Sequence, residues 1–220
     1  PAATGGMSMR VAVTALGTLV SRGFGFVREA VMGAIFGLGN TMDLMSIALQ
    51  VSNYFRGVFA EQAVDSAFLP TFVHLQRTGR TSEANRLFSS VLALTLIGSG
   101  AVTVAAILTL PAWLPHIAPG FVERGIIDDA VLLTQIMFPY LVLISLAAVV
   151  AAVLKACNRF AVPAFSSIMF SVGVLIGVAL YPIMGLPALG VGVLLGGAGQ
   201  LAVLLPSLFS SDVRRGFGVQ

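Results

Sequence analysis

Apolar runs of about 20 residues, repeated along the whole chain, constrain this sequence more than any other feature. Coiled as an α-helix, such a run crosses a hydrocarbon core of about 30 Å. In lipid the backbone amides must find partners within the segment, so runs of this length are read as helices. A transmembrane β-barrel would instead show alternating segments of about ten residues, and none occurs. Only 10% of the residues are charged and 57% are hydrophobic, whereas a soluble domain carries about 25% charged residues. The fold class expected is therefore an all-α membrane protein.

Six spans are expected, over about residues 9–36, 42–72, 87–110, 129–154, 162–180 and 186–209. Residues 1–8 are small and polar and are expected to be a disordered or non-native tail. Residues 9–211 are expected to form one six-helix transmembrane bundle, and 212–220 a cytoplasmic tail or linker. Gly37-Leu38-Gly39-Asn40 reads as the first turn. Pro111, Pro115, Pro119 and Gly120 read as a long loop carrying Trp113, an interfacial anchor residue type. Pro139 is expected to kink the fourth span. Gly173 and Gly177, and again Gly192 and Gly196, have the small-xxx-small spacing of close helix packing.

Orientation follows from the basic residues. With a cytoplasmic N-terminus, the inner side holds Arg10, Arg77, Arg80, Arg86, Lys155, Arg159, Arg214 and Arg215. The outer side holds Arg124 alone, and the spans hold Arg22, Arg28 and Arg56, which accounts for all 12 Lys and Arg. This distribution obeys the positive-inside rule and places both termini of the chain in the cytoplasm. The net charge of +3 is thus spent on membrane orientation, and no solvent-facing basic stripe suggests nucleic acid. One cysteine, Cys157, excludes an intrachain disulfide, and two lone histidines make a metal site unexpected. No phosphate loop or nucleophile elbow is present, so neither a cofactor nor an enzymatic reaction is expected.

The unusual charges lie at the front. Span one holds Arg22, Arg28 and Glu29, and span two holds Asp43, Gln50, Asn53, Arg56, Glu61 and Asp65. An arginine at a helix centre costs about 2.5–3.5 kcal/mol on insertion scales, or roughly 7–10 kcal/mol for three. Acidic partners, cavity water or an anionic ligand must offset that cost. At helical spacing Arg22 and Glu29 share a face with Thr18 and Gly25, while Asp43, Gln50, Gly57 and Glu61 form a stripe from which Arg56 departs. These charges are expected to be buried and to line a polar, water-accessible cavity. Three arginines without a lysine favour a planar anion such as a phosphate or pyrophosphate. Plain interhelical ion pairs are the structural alternative, and they would suit a non-transporting membrane scaffold.

Ser21-Arg22-Gly23-Phe24-Gly25-Phe26-Val27-Arg28-Glu29, with Ile35-Phe36-Gly37-Leu38-Gly39-Asn40-Thr41-Met42-Asp43, resembles the start of the MurJ (MviN) family. The likeness continues in Asn53-Tyr54-Phe55-Arg56, Ala67-Phe68-Leu69-Pro70, Ala118-Pro119-Gly120-Phe121, Phe138-Pro139-Tyr140, Asn158-Arg159-Phe160 and Gly197-Ala198-Gly199-Gln200-Leu201. It departs at Ser52, where the family often has proline, at Gly57, where it often has a basic residue, at Gln62 and Val64, where it often has glycine and phenylalanine, and at Glu29, where aspartate is common. The resemblance implies a lipid II flippase of the bacterial inner membrane, within the multidrug/oligosaccharidyl-lipid/polysaccharide exporter superfamily. It further implies a two-lobed, V-shaped transporter of about fourteen helices working by alternating access, of which this chain would supply the N-terminal lobe.

By the same resemblance Arg22, Arg28, Arg56 and Asn53 are expected to bind substrate. Ser21, Glu29, Asp43 and Glu61 are expected to serve gating and conformational change. The partners implied are lipid II, as an anionic lipid-linked substrate, membrane lipids and a C-terminal lobe. An exporter of another undecaprenyl-pyrophosphate oligosaccharide, or of drugs, is the alternative within the superfamily.

Overall fold

A computed structural model describes residues 2–37, 39–56, 68–157 and 159–208, which are helices joined by short turns. The helices are α1 (Ala2–Phe36), α2 (Asn40–Arg56), α3 (Leu69–Arg77), α4 (Thr81–Ile117), α5 (Pro119–Glu123), α6 (Ile127–Met137), α7 (Tyr140–Ala156), α8 (Ala161–Met184) and α9 (Pro187–Leu208). Among the described residues, four segments are long and apolar enough to cross a membrane: Thr81–Ile117, Ile127–Ala156, Ala161–Met184 and Pro187–Leu208. The protein is thus an all-α, multi-pass membrane protein. The stretch joining α2 to α3, within the expected second span, lies outside the described residues.

Two expectations are corrected. Residues 2–8, expected to be a disordered tail, belong to α1, whose 35 residues start at Ala2. No proline interrupts the chain between Ala2 and the apolar run, so helical hydrogen bonding extends upstream. The proline-rich loop is corrected more sharply, because α4 runs for 37 residues through Pro111 and Pro115. Trp113 therefore sits on a helix, where its indole N–H donates to Thr109 Oγ1 at 3.2 Å. A proline inside a helix leaves the carbonyl four residues back without a donor. Here that carbonyl belongs to Ile107, and Gln135 Nε2 of α6 donates to it at 3.0 Å. A partner helix thus supplies the bond that the proline removed. The helix ends at Ala118, whose N–H still bonds Leu114 O at 2.9 Å.

Pro139 has the opposite outcome. It divides the fourth span into α6 and α7, with tight bonds from Leu141 N to Phe138 O at 2.9 Å and Val142 N to Pro139 O at 3.1 Å. Phe138 at the break is fully buried. Gly37, at φ 58°, and Gly185, at φ 65°, make the turns after α1 and α8, in a backbone region that costs other residues strain.

Packing centres on α9, which lies against α8, α7 and α6. Helix α2 packs on α6 and α7, α4 on the same pair, and α3 is wedged between α4 and α7. Helix α1 rests on α8 and touches α2 sparingly. The main core joins Met45, Leu110, Leu133, Met137 and Leu189 from four of these helices with Phe138 from the α6–α7 break. Two buried hydroxyls bond within their own helices, Thr134 Oγ1 to Ala130 O and Ser145 Oγ to Leu141 O, both at 2.6 Å.

The seam between α8 and α9 is built from glycine, as the spacing predicts. A Cβ added at Gly173 would stand 2.2 Å from Gly196 N, and one at Gly192 would stand 2.6 Å from Gly177 Cα. The two backbones are in direct contact, so no side chain larger than hydrogen fits between them.

Candidate functional site

On α1 the positions facing α8 follow helical spacing through Gly17, Ser21, Gly25, Arg28 and Met32. Arg22 and Glu29 lie on the adjoining, exposed stripe with Phe26 and Gly33. Arg22 and Glu29 do share a face, as their spacing predicts, but Arg28 is turned away from it. On α2, Leu44, Met45, Ala48, Val51 and Ser52 are buried, while Gln50, Asn53 and Tyr54 are exposed on the other side. The side chain of Arg56 and all of Glu61 and Asp65 lie outside the described residues.

The expectation that the front charges are buried is therefore corrected, among the described residues, for Arg22 and Glu29. Arg22, Glu29, Gln50 and Asn53 stand on exposed faces, because α1 has a packing neighbour on one side only and α2 turns its apolar face to α6 and α7. Arg28 is the exception, with 17% of its side chain exposed. One terminal nitrogen bonds Glu29 Oε1 at 2.5 Å. Its guanidinium carbon lies 5.2 Å from the centre of the Phe170 ring on α8, within cation–π range. Among the described residues its Nε is buried with no hydrogen-bond partner. A buried N–H without an acceptor costs roughly 1–3 kcal/mol, and no described residue offsets that cost at Arg28.

Asp43 is half exposed and pairs with Arg124, whose terminal nitrogen donates to Asp43 Oδ2 at 2.7 Å and to Asn40 Oδ1 at 3.2 Å. Arg124 Nε also donates to Gly120 O at 3.1 Å, and the guanidinium lies 4.8 Å from the Phe121 ring centre. The connection between α4 and α6 is thereby fastened to the start of α2. Phe36 and Tyr181 meet edge to face at 4.9 Å, and Thr41 Oγ1 lies 3.5 Å from the Tyr181 hydroxyl, fastening the same turn to the end of α8. In the sequence Arg124 stands out only as the lone outer basic residue. That isolation, opposite Asp43 at the start of span two, was the one signal available.

Among the described residues no cluster of His, Cys, Asp and Glu could hold a metal ion. The profile of the family described as "Lipid II flippase MurJ" matches residues 32–217. The chain belongs to this family. It is 34% identical over 209 residues to a probable lipid II flippase MurJ of Rhizobium meliloti (strain 1021), covering 91% of this chain and 39% of the relative. A probable lipid II flippase MurJ of Vibrio cholerae is 33% identical over 210 residues, covering 89% and 39%. The lipid II flippase MurJ of Burkholderia cenocepacia is 32% identical over 204 residues, again covering 89% and 39%. The chain thus spans well under half the length of these MurJ relatives.

Proposed function

We propose that this chain is the N-terminal lobe, residues 9–211, of a lipid II flippase of the bacterial inner membrane. The protein moves the undecaprenyl-pyrophosphate-linked peptidoglycan precursor from the inner to the outer leaflet by alternating access. It changes no covalent bond and is a transporter, not an enzyme. Both ends of this chain face the cytoplasm, a reading supported by the asymmetry of its basic residues. A C-terminal lobe completes the path and covers the exposed faces of α1 and α2.

Arg28 is the observation that carries this reading. An arginine within an apolar helical bundle, mostly buried and with Nε unpartnered, is costly for a scaffold and useful for binding a pyrophosphate. Arg22, Arg56 and Asn53 join it in binding the headgroup. Ser21, Glu29, Asp43 and Glu61 act in gating, with the Asp43–Arg124 pair holding the α1–α2 turn at one end.

Complementation of a lipid II flippase-depleted bacterium by the full-length gene tests the proposal, comparing wild type with Arg28→Ala. Wild type is expected to restore growth, while Arg28→Ala reaches normal membrane levels on a blot and fails. Failure of the wild type, or equal rescue by Arg28→Ala, overturns the reading in favour of a different cargo or a structural charge.

A further inference from the structure

Phe170 is half-buried on α8, and its two ring neighbours lie on other helices. Arg28 of α1 has its guanidinium carbon 5.2 Å from the ring centre. Tyr140, the first residue of α7 after the Pro139 break, stacks on the ring at 5.3 Å with planes 38° apart. Both aromatic residues are seated on the glycine pair of α9. A Cβ at Gly196 would stand 2.9 Å from Phe170 O and 3.0 Å from its Cα, and a Cβ at Gly197 would stand 2.6 Å from Tyr140 Cδ2. Backbone contact with α9 thus fixes Phe170, and Phe170 offers its ring to Arg28.

We infer that Phe170 is a positioning residue that holds the Arg28 guanidinium in the orientation that receives a phosphate or pyrophosphate. This rests on the reading of Arg28 as a substrate-binding residue. Binding an anion through a long, freely rotating arginine costs the rotamer freedom lost when it is immobilised. Here Glu29 pins one edge of the guanidinium and Phe170 covers its face. The terminal N–H groups that Glu29 leaves free keep the planar geometry that matches a phosphate's oxygens. The aromatic seat also connects this arginine to the Pro139 break, so a change in the α6–α7 angle acts on the anion site through Tyr140 and Phe170.

Simple core packing predicts a different response, and the two separate in a binding experiment. The full-length protein, in detergent, is titrated with farnesyl pyrophosphate as a soluble probe. Phe170→Leu, which keeps apolar bulk and removes the π face, is expected to weaken binding about 3- to 10-fold. Phe170→Tyr is expected to bind within about twofold of wild type, because the π face remains. In an Arg28→Ala background the Leu substitution is expected to have no further effect.

Unchanged binding by Phe170→Leu overturns the inference, and so does an equal loss in the Tyr and Leu variants. A Leu effect of the same size without Arg28, or no saturable binding by wild type, also overturns it. The complementation experiment reads the flippase proposal separately. Phe170-dependent probe binding without rescue leaves the positioning role standing and removes lipid II as cargo. Rescue by wild type with Phe170-indifferent binding does the reverse.

Discussion

The α8–α9 seam and the α1–α2 front are built on opposite principles within one bundle. At the seam Gly173, Gly177, Gly192 and Gly196 bring two backbones into contact, and no charged residue lies on either helix. At the front, charged and amide side chains occupy exposed faces of helices that barely touch each other. Lipid tails are as apolar as leucine, so close van der Waals contact is what holds membrane helices together. Under the proposed function the front accepts and releases a hydrated anion, and a face with that task cannot be packed that way. Stability is therefore concentrated at the back, and the ionic chemistry is left where packing is thin. Arg28 links the two, because its seat, Phe170, rests on Gly196 of the seam.

The sharpest way to break this contrast is at the seam. Gly173→Ala places a methyl group 2.2 Å from Gly196 N, and both positions are backbone, so neither can yield without separating the helices. The expected loss is about 3 kcal/mol or more, at the upper end of overpacking costs. It should appear as lower membrane accumulation and earlier thermal unfolding in detergent. Gly98→Ala on α4, with nothing within 4 Å of the new methyl group, serves as the control and is expected to be near neutral. Equal losses at the two positions would mean that backbone contact at the seam is not what stabilises the bundle.

A middle-sized effect is expected where α4 meets α6. Gln135→Leu keeps much of the bulk but removes the donor to Ile107 O, leaving the carbonyl freed by Pro111 unpaired. The expected cost is about 1–3 kcal/mol, measured by thermal unfolding. Combining it with Pro111→Ala, which restores the helical N–H, should recover much of the loss. No recovery would show that Gln135 acts through something other than that carbonyl.

The smallest effect belongs to the front. Asp43 and Arg124 expose 47% and 42% of their side chains, and an exposed ion pair contributes about 0.2–1 kcal/mol. A double-mutant cycle of Asp43→Asn and Arg124→Gln should give a coupling energy in that range, shrinking as salt is raised. A coupling above about 2 kcal/mol, or one insensitive to salt, would place this pair with the tightly packed seam rather than with the loose front.

The spans from Ile127 to Leu208 follow the sequence closely, since length and hydropathy act locally and need no partner. The glycine seam was legible for a related reason: a four-residue spacing on a helix already specifies a flat stripe. Helix ends were less legible at proline. Pro139 and Pro111 look alike in the chain, yet one ends a helix and the other does not, and at Pro111 the freed Ile107 carbonyl is met by a side chain 28 residues from it. The candidate site was legible in its residue types but not in its arrangement. Arg22 and Glu29 share a face as their spacing requires, whereas the partner of Asp43 lies 81 residues along the chain.

By itself, then, the sequence determined that this is a helical membrane protein, which helices pack through glycine, and which helices carry charge. Each of these depends on hydropathy or period within a single segment. Only the tertiary structure decided that α4 continues through its prolines, that Asp43 meets Arg124, and that Arg28 rather than Arg22 is turned against α8 and laid on Phe170. Those outcomes depend on which donors and rings other helices bring within a few ångströms, and no local pattern encodes that.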